Sequence, residues 1–216
     1  NIVETFSMGG IYNGYEKTIS YKDNYNNYYG SKLVSVDDIN IYDAKNIKLN
    51  EIRSIDFSFE KELNDILVNS YLFEKSNHAK KGEYGIYTTK NSELGEVYTI
   101  YNPSKMNKDF YIDYTLTNVA VVHEDISEVS MFLFKNLDKN INLLQIYINV
   151  PNNKNFIKAY IHSDFEYEYE IINNNSIKFT IENFNKSSLD FRVLFDKDSI
   201  VDAKKKTLDK VLDKII

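Results

Sequence analysis

The chain has 216 residues, of which 43% are hydrophobic and 14% aromatic, and its formal net charge is −6. Enough apolar residues are present for a packed core, so a disordered chain is excluded, and the dispersed basic residues argue against a nucleic-acid partner. Cysteine is absent, which excludes disulfides, thiolate metal sites and cysteine nucleophiles.

Short apolar segments separated by turn residues open the chain. We predict a strand at residues 2–6, a second at 15–21 and a strand pair within 31–42, because apolar and polar residues alternate there. Residues 22–30 are rich in Asn and Tyr and favour a surface loop. In that loop Tyr25, Tyr28 and Tyr29 either form a platform on which sugar rings stack or pack the loop onto the sheet.

A helical spacing interrupts the strand pattern in the middle of the chain. Phe59, Leu63, Ile66 and Leu67 recur at three- or four-residue intervals, which predicts a short helix within residues 59–72. Strands are then predicted at 83–89 and 96–101, around a turn at 91–95.

The clearest alternation lies in residues 110–117. Phe110, Ile112, Tyr114 and Leu116 fall on one face of the predicted strand, and Thr115 falls on the other. A polar interruption at residues 123–125 follows, and a second apolar strand is predicted at 129–134.

Two acidic residues, Asp125 and Glu128, stand between these two apolar segments. Carboxylates at that position suit either glycosidase-type chemistry or the capping of backbone N–H groups in a turn. We favour the structural role, because backbone groups that leave a sheet ladder need partners.

The remaining strands are predicted at 141–150, 156–162, 165–171, 177–181 and 189–195. Glu166, Glu168 and Glu170 alternate with apolar residues, so the third of these strands has one wet, acidic face, and we expect Glu to lie opposite Lys in the hairpin that follows. The pattern predicts an all-β fold, an immunoglobulin-like or jelly-roll-type β-sandwich of mostly antiparallel strands, with the short mid-chain helix and a C-terminal helix.

An amphipathic helix is predicted over residues 199–216. Ser199 is placed to cap it, and Val201, Leu208, Val211 and Leu212 form an apolar stripe against lysines. Such a helix either leads toward a membrane anchor or packs on the edge of the sandwich.

Several motifs together resemble one known family. Residues 111–118 read Tyr-Ile-Asp-Tyr-Thr-Leu-Thr-Asn, and Asp125 and Glu128 form an Asp-x-x-Glu turn after them. Gly10 and Gly14 match a glycine motif near the start, although Lys17 or Tyr15 stands where arginine is usual. After His162, Ser163-Asp164 replaces the usual Gly-Pro. These segments resemble the predicted bacterial and archaeal membrane proteins known as DUF2207, a domain of unknown function.

The resemblance implies a cellular location for the domain, but it implies no activity. It implies an extracytoplasmic β domain of a protein anchored in the cell membrane. The strand pattern and the presence of only two prolines favour one β-sandwich domain over residues 1–198, with two sandwiches joined near residue 104 as the alternative. The lack of cysteine agrees with a Gram-positive cell surface. No apolar stretch of about 18 residues exists, so the expected membrane segments lie outside this sequence. The sequence also begins inside a predicted strand, and we expect a signal peptide upstream.

Three functions remain open from the sequence. The favoured hypothesis is a non-enzymatic domain that binds or senses an unknown protein or a cell-wall ligand; a cell-wall carbohydrate- or peptide-acting enzyme and a purely structural spacer are the alternatives. Candidate binding residues are Asp125, Glu128, His162, Tyr25, Tyr28 and Tyr29. No histidine has ligand spacing, and neither a complete calcium loop nor a phosphate loop occurs, so we expect no metal and no cofactor. Weak calcium binding stays open at two groups of aspartates, Asp196, Asp198 and Asp202, or Asp37, Asp38 and Asp43.

Overall fold

The structure is a computed structural model. It describes residues 2–7, 13–21, 34–43, 70–103, 109–138, 140–149, 156–162, 164–173 and 176–215. The described chain is built almost entirely of strands, as follows: β1 Ile2–Ser7, β2 Gly14–Ser20, β3 Ser35–Asp43, β4 Tyr71–Leu72, β5 Glu74–Lys75, β6 Ile86–Asn91, β7 Gly95–Tyr101, β8 Asp109–Thr117, β9 Val121–Val122, β10 Ile126–Phe134, β11 Ile141–Asn149, β12 Phe156–His162, β13 Glu168–Asn173, β14 Ser176–Phe184, β15 Leu189–Asp196 and β16 Lys205–Lys206. A 3-10 turn at Lys197–Ser199 and a helical turn at Leu212–Ile215, α1, complete the described elements.

The all-β class with mostly antiparallel strands is therefore confirmed. The chain divides into two compact units, of which the first takes its described residues from Asn1–Thr18, Ser35–Ser92 and Glu96–Thr117. This first unit contains a sheet of order β1-β8-β3-β4 and most of a second sheet of order β2-β7-β6-β5.

Strand β8 is central to the first unit, between β1 and β3. Phe110, Ile112 and Tyr114 are buried, as the alternation predicts, whereas Leu116 on the same face is only half-buried, like Thr115 on the other. Tyr111, on the other face, is also buried, because it packs edge-to-face against Tyr42 on β3. The face that the sequence assigns to the core is therefore confirmed, and the opposite face is also partly covered.

Replacing Ile112 with alanine should lower the free energy of unfolding by about 2–5 kcal/mol, because a fully buried side chain leaves a cavity. Thr115→Ala, on the opposite and half-buried face of β8, should cost less. Urea denaturation of both variants measures the difference, and equal, negligible losses would contradict the assignment of Ile112 to the core face of β8.

Gly14, one of the glycines of the resemblance motif, allows β2 and β7 to approach closely. A Cβ atom at this position would lie 2.4 Å from the carbonyl oxygen of Ile100 on β7. Any side chain would therefore push the two strands apart, and this explains the glycine by close backbone approach.

The second unit takes its described residues from Ile19–Val34, Glu93–Gly95 and Asn118–Ile216. It contains a five-stranded sheet, β12-β15-β10-β9-β16, and a three-stranded sheet, β11-β14-β13. Both sheets contribute to one core: Ile177, Phe179 and Ile181 from β14 meet Ala159 and Ile161 from β12 and Val193 and Phe195 from β15. This is the packing of a β-sandwich. The predicted hairpin is also confirmed, with Glu170 opposite Lys178.

The predicted C-terminal helix over residues 199–216 is wrong. The segment begins after a 3-10 turn, forms β16 parallel to β9, and becomes helical only at Leu212–Ile215. Val211 is buried, but Leu208 of the same predicted stripe is 92% exposed. The segment does not form the predicted helix because pairing with β9 gives it backbone hydrogen bonds and a buried contact, which outweigh a weak helical preference.

Two further helix and strand predictions have different outcomes. The mid-chain helix within 59–72 lies largely outside the described residues, and its end, Tyr71–Leu72, is strand β4. The strand pair predicted within 31–42 is wrong, since the described part is one strand, β3, with a register shift between Asp37 and Asn40. Asp38 takes a positive φ of 52° inside this bulge. Within the described ranges, no helix has the length and apolar character needed to cross a bilayer.

Candidate functional site

The five-stranded sheet of the second unit has one apolar face and one polar face. The apolar face packs against the three-stranded sheet. The strand register places the following residues on the opposite face: Glu128 on β10, Asp190 and Arg192 on β15, Lys158, Tyr160 and His162 on β12, and Lys205 on β16. We call this set, together with His123 just after β9, the polar face.

Three ionisable groups of the polar face are buried together. His123 Nε2 lies 3.2 Å from Glu128 Oε1, and Glu128 Oε2 lies 3.3 Å from Arg192 Nε. The second contact has the distance of an ion pair without the alignment of a hydrogen bond. Their side chains are 0%, 3% and 7% exposed, in the order His123, Glu128, Arg192. Such burial is unusual for charged residues unless they are paired.

Burial shifts the pKa values of two groups in this cluster, Glu128 and Arg192. It raises the pKa of Glu128, although the hydrogen bond from His123 acts in the opposite direction. Burial also lowers the pKa of Arg192. Both shifts have one physical cause, since removing water penalises the charged form of each group. The His123 Nδ1 atom lies 2.8 Å from Thr207 Oγ1, so the ring is held at both nitrogens.

The polar face becomes exposed toward His162. His162 Nδ1 lies 2.7 Å from Asp190 Oδ2, and its side chain is 40% exposed. Tyr160 joins this pair to the buried cluster, because Arg192 Nη1 donates to its hydroxyl at 3.4 Å and its ring packs edge-on against His162. Burial, with Glu128 and Asp190 nearby, raises the pKa of Tyr160 to about 12. The result is an oriented imidazole at the accessible end of a buried charge network.

Asp125 holds the C-terminal segment, which we define as residues 205–215. Its two carboxylate oxygens accept hydrogen bonds from the backbone N–H groups of Val211 at 3.1 Å and Leu212 at 3.0 Å. Burial alone would raise the pKa of Asp125, but these backbone donors and the nearby His123 lower it overall. The predicted capping role agrees with this geometry, and the donors come from a segment 86 residues along the chain.

Replacing Asp125 with alanine should lower the free energy of unfolding by about 1.5–3 kcal/mol, because two charge-assisted hydrogen bonds are lost. Asp125→Asn keeps an acceptor and should be milder. Since the pKa is lowered, the stabilisation is present above the ordinary value of 3.8 and lost as the pH falls through the lowered pKa. Thermal melts of both variants against pH test this, and a parent-like melt of Asp125→Ala would show that the cap does not hold the segment.

Other contacts tie the C-terminal segment to the same turn. Thr207 N donates to the carbonyl of Val122 at 2.8 Å, and Glu124 N donates to the carbonyl of Asp209 at 3.0 Å. Val211 packs with Ile126 and Leu194 in a small buried cluster on the polar face. The segment therefore covers one end of that face.

The residues predicted from the sequence divide into three groups. Glu128 and His162 share the polar face, and Arg192 and Tyr160 lie between them. Asp125 lies apart in the turn, bonded to the C-terminal segment. Tyr25, Tyr28 and Tyr29 lie outside the described residues. The candidate binding residues thus stay a prediction, with two of them, Asp125 and Glu128, held in contacts of the fold.

Sequence reasoning missed Arg192 and Asp190 as members of this face. Their signal was present, because both alternate with Leu189, Phe191 and Val193 in an otherwise apolar strand. Asn118, in the resemblance motif, takes a positive φ of 59° directly after β8, a conformation that asparagine tolerates. Across the described ranges, no group of three His, Asp or Glu side chains is placed to hold a metal ion.

Comparison with known proteins gives one match. The model of a family described as the N-terminal domain of a predicted membrane protein, DUF2207, matches residues 3–195. No curated protein and no solved structure matches the chain.

Proposed function

Because the chain belongs to the DUF2207 family of predicted membrane proteins, we propose that it is a non-enzymatic domain, displayed outside the cytoplasm, that binds or senses a protein or a cell-wall ligand. The rest of the protein anchors it in the cell membrane. The family itself is a domain of unknown function, so the proposed role rests on this chain's own residues.

One observation carries the proposal. The acidic residues best placed for catalysis are engaged by the fold, since Asp125 accepts two backbone N–H groups and Glu128 is buried between His123 and Arg192. A glycosidase needs two carboxylates that flank an accessible bond. Glu128 is 3% exposed at the side chain and cannot reach such a bond without unfolding its surroundings.

The accessible end of the polar face supports binding. His162, Asp190 and Tyr160 offer a hydrogen-bonding imidazole, a carboxylate and a phenol within one small area. They sit on paired strands, which hold binding groups more firmly than loops do. A module of this kind recognises a ligand without altering it.

The first test concerns the side of the cell membrane on which the domain lies. The full-length protein, tagged within this domain, is expressed in its own cells, and protease is added to intact and to lysed cells. We expect loss of the domain in intact cells, while a cytoplasmic marker survives. Protection in intact cells and digestion after lysis would overturn the extracytoplasmic placement.

The second test separates binding from turnover. Purified protein is incubated with isolated cell envelopes, and both its sedimentation with them and the release of soluble sugars or peptides are measured. We expect retention without release. If sugars or peptides are released, and Asp125→Asn or Glu128→Gln abolishes that release, the protein is an enzyme. If the protein is not retained on the envelopes and releases nothing from them, the binding proposal is overturned and the structural spacer role is favoured.

A further inference from the structure

Among the described strands, β13 forms an open edge of the three-stranded sheet. Its sheet order is β11-β14-β13, so β13 has a hydrogen-bonded neighbour on one side within the described chain. An edge strand presents a row of backbone N–H and C=O groups that another strand can use. This makes β13 a template for strand addition.

The apolar side of β13 is uncovered, although its neighbour is buried. Tyr169 and Ile171 lie opposite Phe179 and Ile177 of β14, which are buried in the sandwich core. Yet Tyr169 is 64% exposed and Ile171 is 68% exposed. Among the large apolar residues on described strands, these two have the largest exposed fractions. The core face of the sheet therefore continues beyond the part that the opposing sheet covers.

The other side of β13 is acidic. Glu168 and Glu170 are exposed, and Glu170 lies opposite Lys178 on β14. A strand that pairs with the open edge would place its own residues directly opposite these two glutamates and, on the other face, opposite Tyr169 and Ile171. The edge therefore specifies the pattern of its partner, with basic residues on one face and apolar residues on the other.

A second copy of this strand does not fit that pattern. An antiparallel pair of β13 strands centred on Glu170 sets that glutamate against itself, and a pair centred on Tyr169 sets Glu168 against Glu170. The intermediate register sets glutamates against Tyr169 and Ile171. Like charges directly opposite each other destabilise a sheet, so the registers centred on Glu170 and on Tyr169 are disfavoured, and no register of a second copy supplies the basic residues that the glutamates would pair with.

We propose that β13 is a docking edge for an extended segment of another protein, which adds as a strand and alternates Lys or Arg with apolar residues. This inference rests on the proposed binding function and names the class of partner. Backbone hydrogen bonds to β13 provide the attachment, and Glu168, Glu170, Tyr169 and Ile171 provide the selection.

The test uses two labelled peptides of equal length, one alternating Lys with Val and the other alternating Glu with Val. Fluorescence anisotropy with the purified protein measures the affinity of each. We expect the basic peptide to bind at least about tenfold more tightly, given two charge pairs of ordinary cross-strand strength. Hydrogen exchange should slow at residues 168–173 when the basic peptide is present.

Charge reversal provides the matched variants. Glu170→Lys should weaken the basic peptide by about fivefold and strengthen the acidic one. Glu182→Lys makes the same charge change on β14, the central strand of the sheet, at a residue that pairs with Leu143 of β11 and not with β13, and should leave both affinities nearly unchanged. Thermal melts verify that both variants fold. If the Glu170→Lys variant does not fold, Glu170→Gln is used in its place.

The outcomes distinguish this inference from the proposed function. Equal affinity for the two peptides, equal effects of the two reversals, or protection away from β13 would overturn the docking edge. Absence of peptide binding would overturn it as well, while retention on cell envelopes would leave the proposed function standing. Turnover of cell-wall material would overturn the proposed function without altering the peptide result.

Discussion

Replacing Glu128 with alanine should lower the free energy of unfolding by about 3–5 kcal/mol, because it leaves Arg192 buried without its carboxylate. The same change removes the hydrogen-bond partner of His123 Nε2. Loss of one member of a buried ion pair costs more than the pair contributes, since the remaining charge is removed from water with reduced compensation. Urea denaturation at neutral pH measures the loss.

A double variant separates this explanation from simple loss of packing. Glu128→Leu with Arg192→Leu removes both charges and keeps apolar volume, so it should be clearly more stable than Glu128→Ala alone. If the double variant loses as much free energy of unfolding as Glu128→Leu and Arg192→Leu lose in sum when made singly, the charge-pair explanation is wrong and the two side chains act independently.

The contribution of Glu128 to the free energy of unfolding should fall as the pH rises. Burial raises the pKa of Glu128 above its ordinary value of 4.5, so the folded protein holds this proton more tightly than the unfolded chain does. Glu128 therefore contributes a loss of stability as the pH rises from that ordinary value through the raised pKa. Glu128→Gln should remove this contribution, and its unfolding midpoint should vary less with pH over that window than the midpoint of the parent protein.

Replacing Phe179 with alanine should cost about 3–5 kcal/mol, because its side chain lies in the centre of the core that the two sheets of the second unit share. It contacts the rings of Tyr167 and Tyr169 as well as the apolar cluster. The cavity left by the ring cannot be filled by neighbours that are fixed in two hydrogen-bonded sheets.

Tyr169 provides the control, since it lies directly opposite Phe179 in the strand register but is mostly exposed. Tyr169→Ala should cost about 1 kcal/mol or less. Similar losses for both variants would show that the three-stranded sheet does not pack its β14 face inward, whereas a large difference supports both the core and the open edge at β13.

The candidate site was accessible to sequence reasoning in part. The position of Asp125 after an apolar strand predicted that it accepts backbone N–H groups, as it does. The same role predicted for Glu128 is wrong, because Glu128 lies within β10 and its carboxylate contacts His123 and Arg192. His162 was identified as a polar residue at a strand end. The partners were not predictable, because His123, Arg192 and Thr207 reach Glu128 or each other through pairings that are set by strand order and not by spacing along the chain.

The sequence by itself determined the strands. Alternation assigned β8, β10, β11, β12, β14 and β15 close to their observed bounds and placed Ile112 inward, since side-chain direction in a strand follows directly from residue parity. It also predicted that Glu lies opposite Lys in the hairpin of β13 and β14, because a short turn fixes the register of a hairpin, and the structure places Glu170 opposite Lys178.

Only the tertiary structure decided the C-terminal segment, the polar face and the open edge. Within the predicted helix, Lys205–Lys206 form a strand because β9 supplies ladder hydrogen bonds that the isolated segment lacks, while the Asp125 carboxylate binds the backbone N–H groups of Val211 and Leu212 at the short helical turn. Tyr169 and Ile171 alternate like core residues, yet they are exposed, since the opposing sheet does not cover β13. The alternation of side chains along a strand determines the face on which each one lies, but what covers that face depends on contacts between segments far apart in the chain.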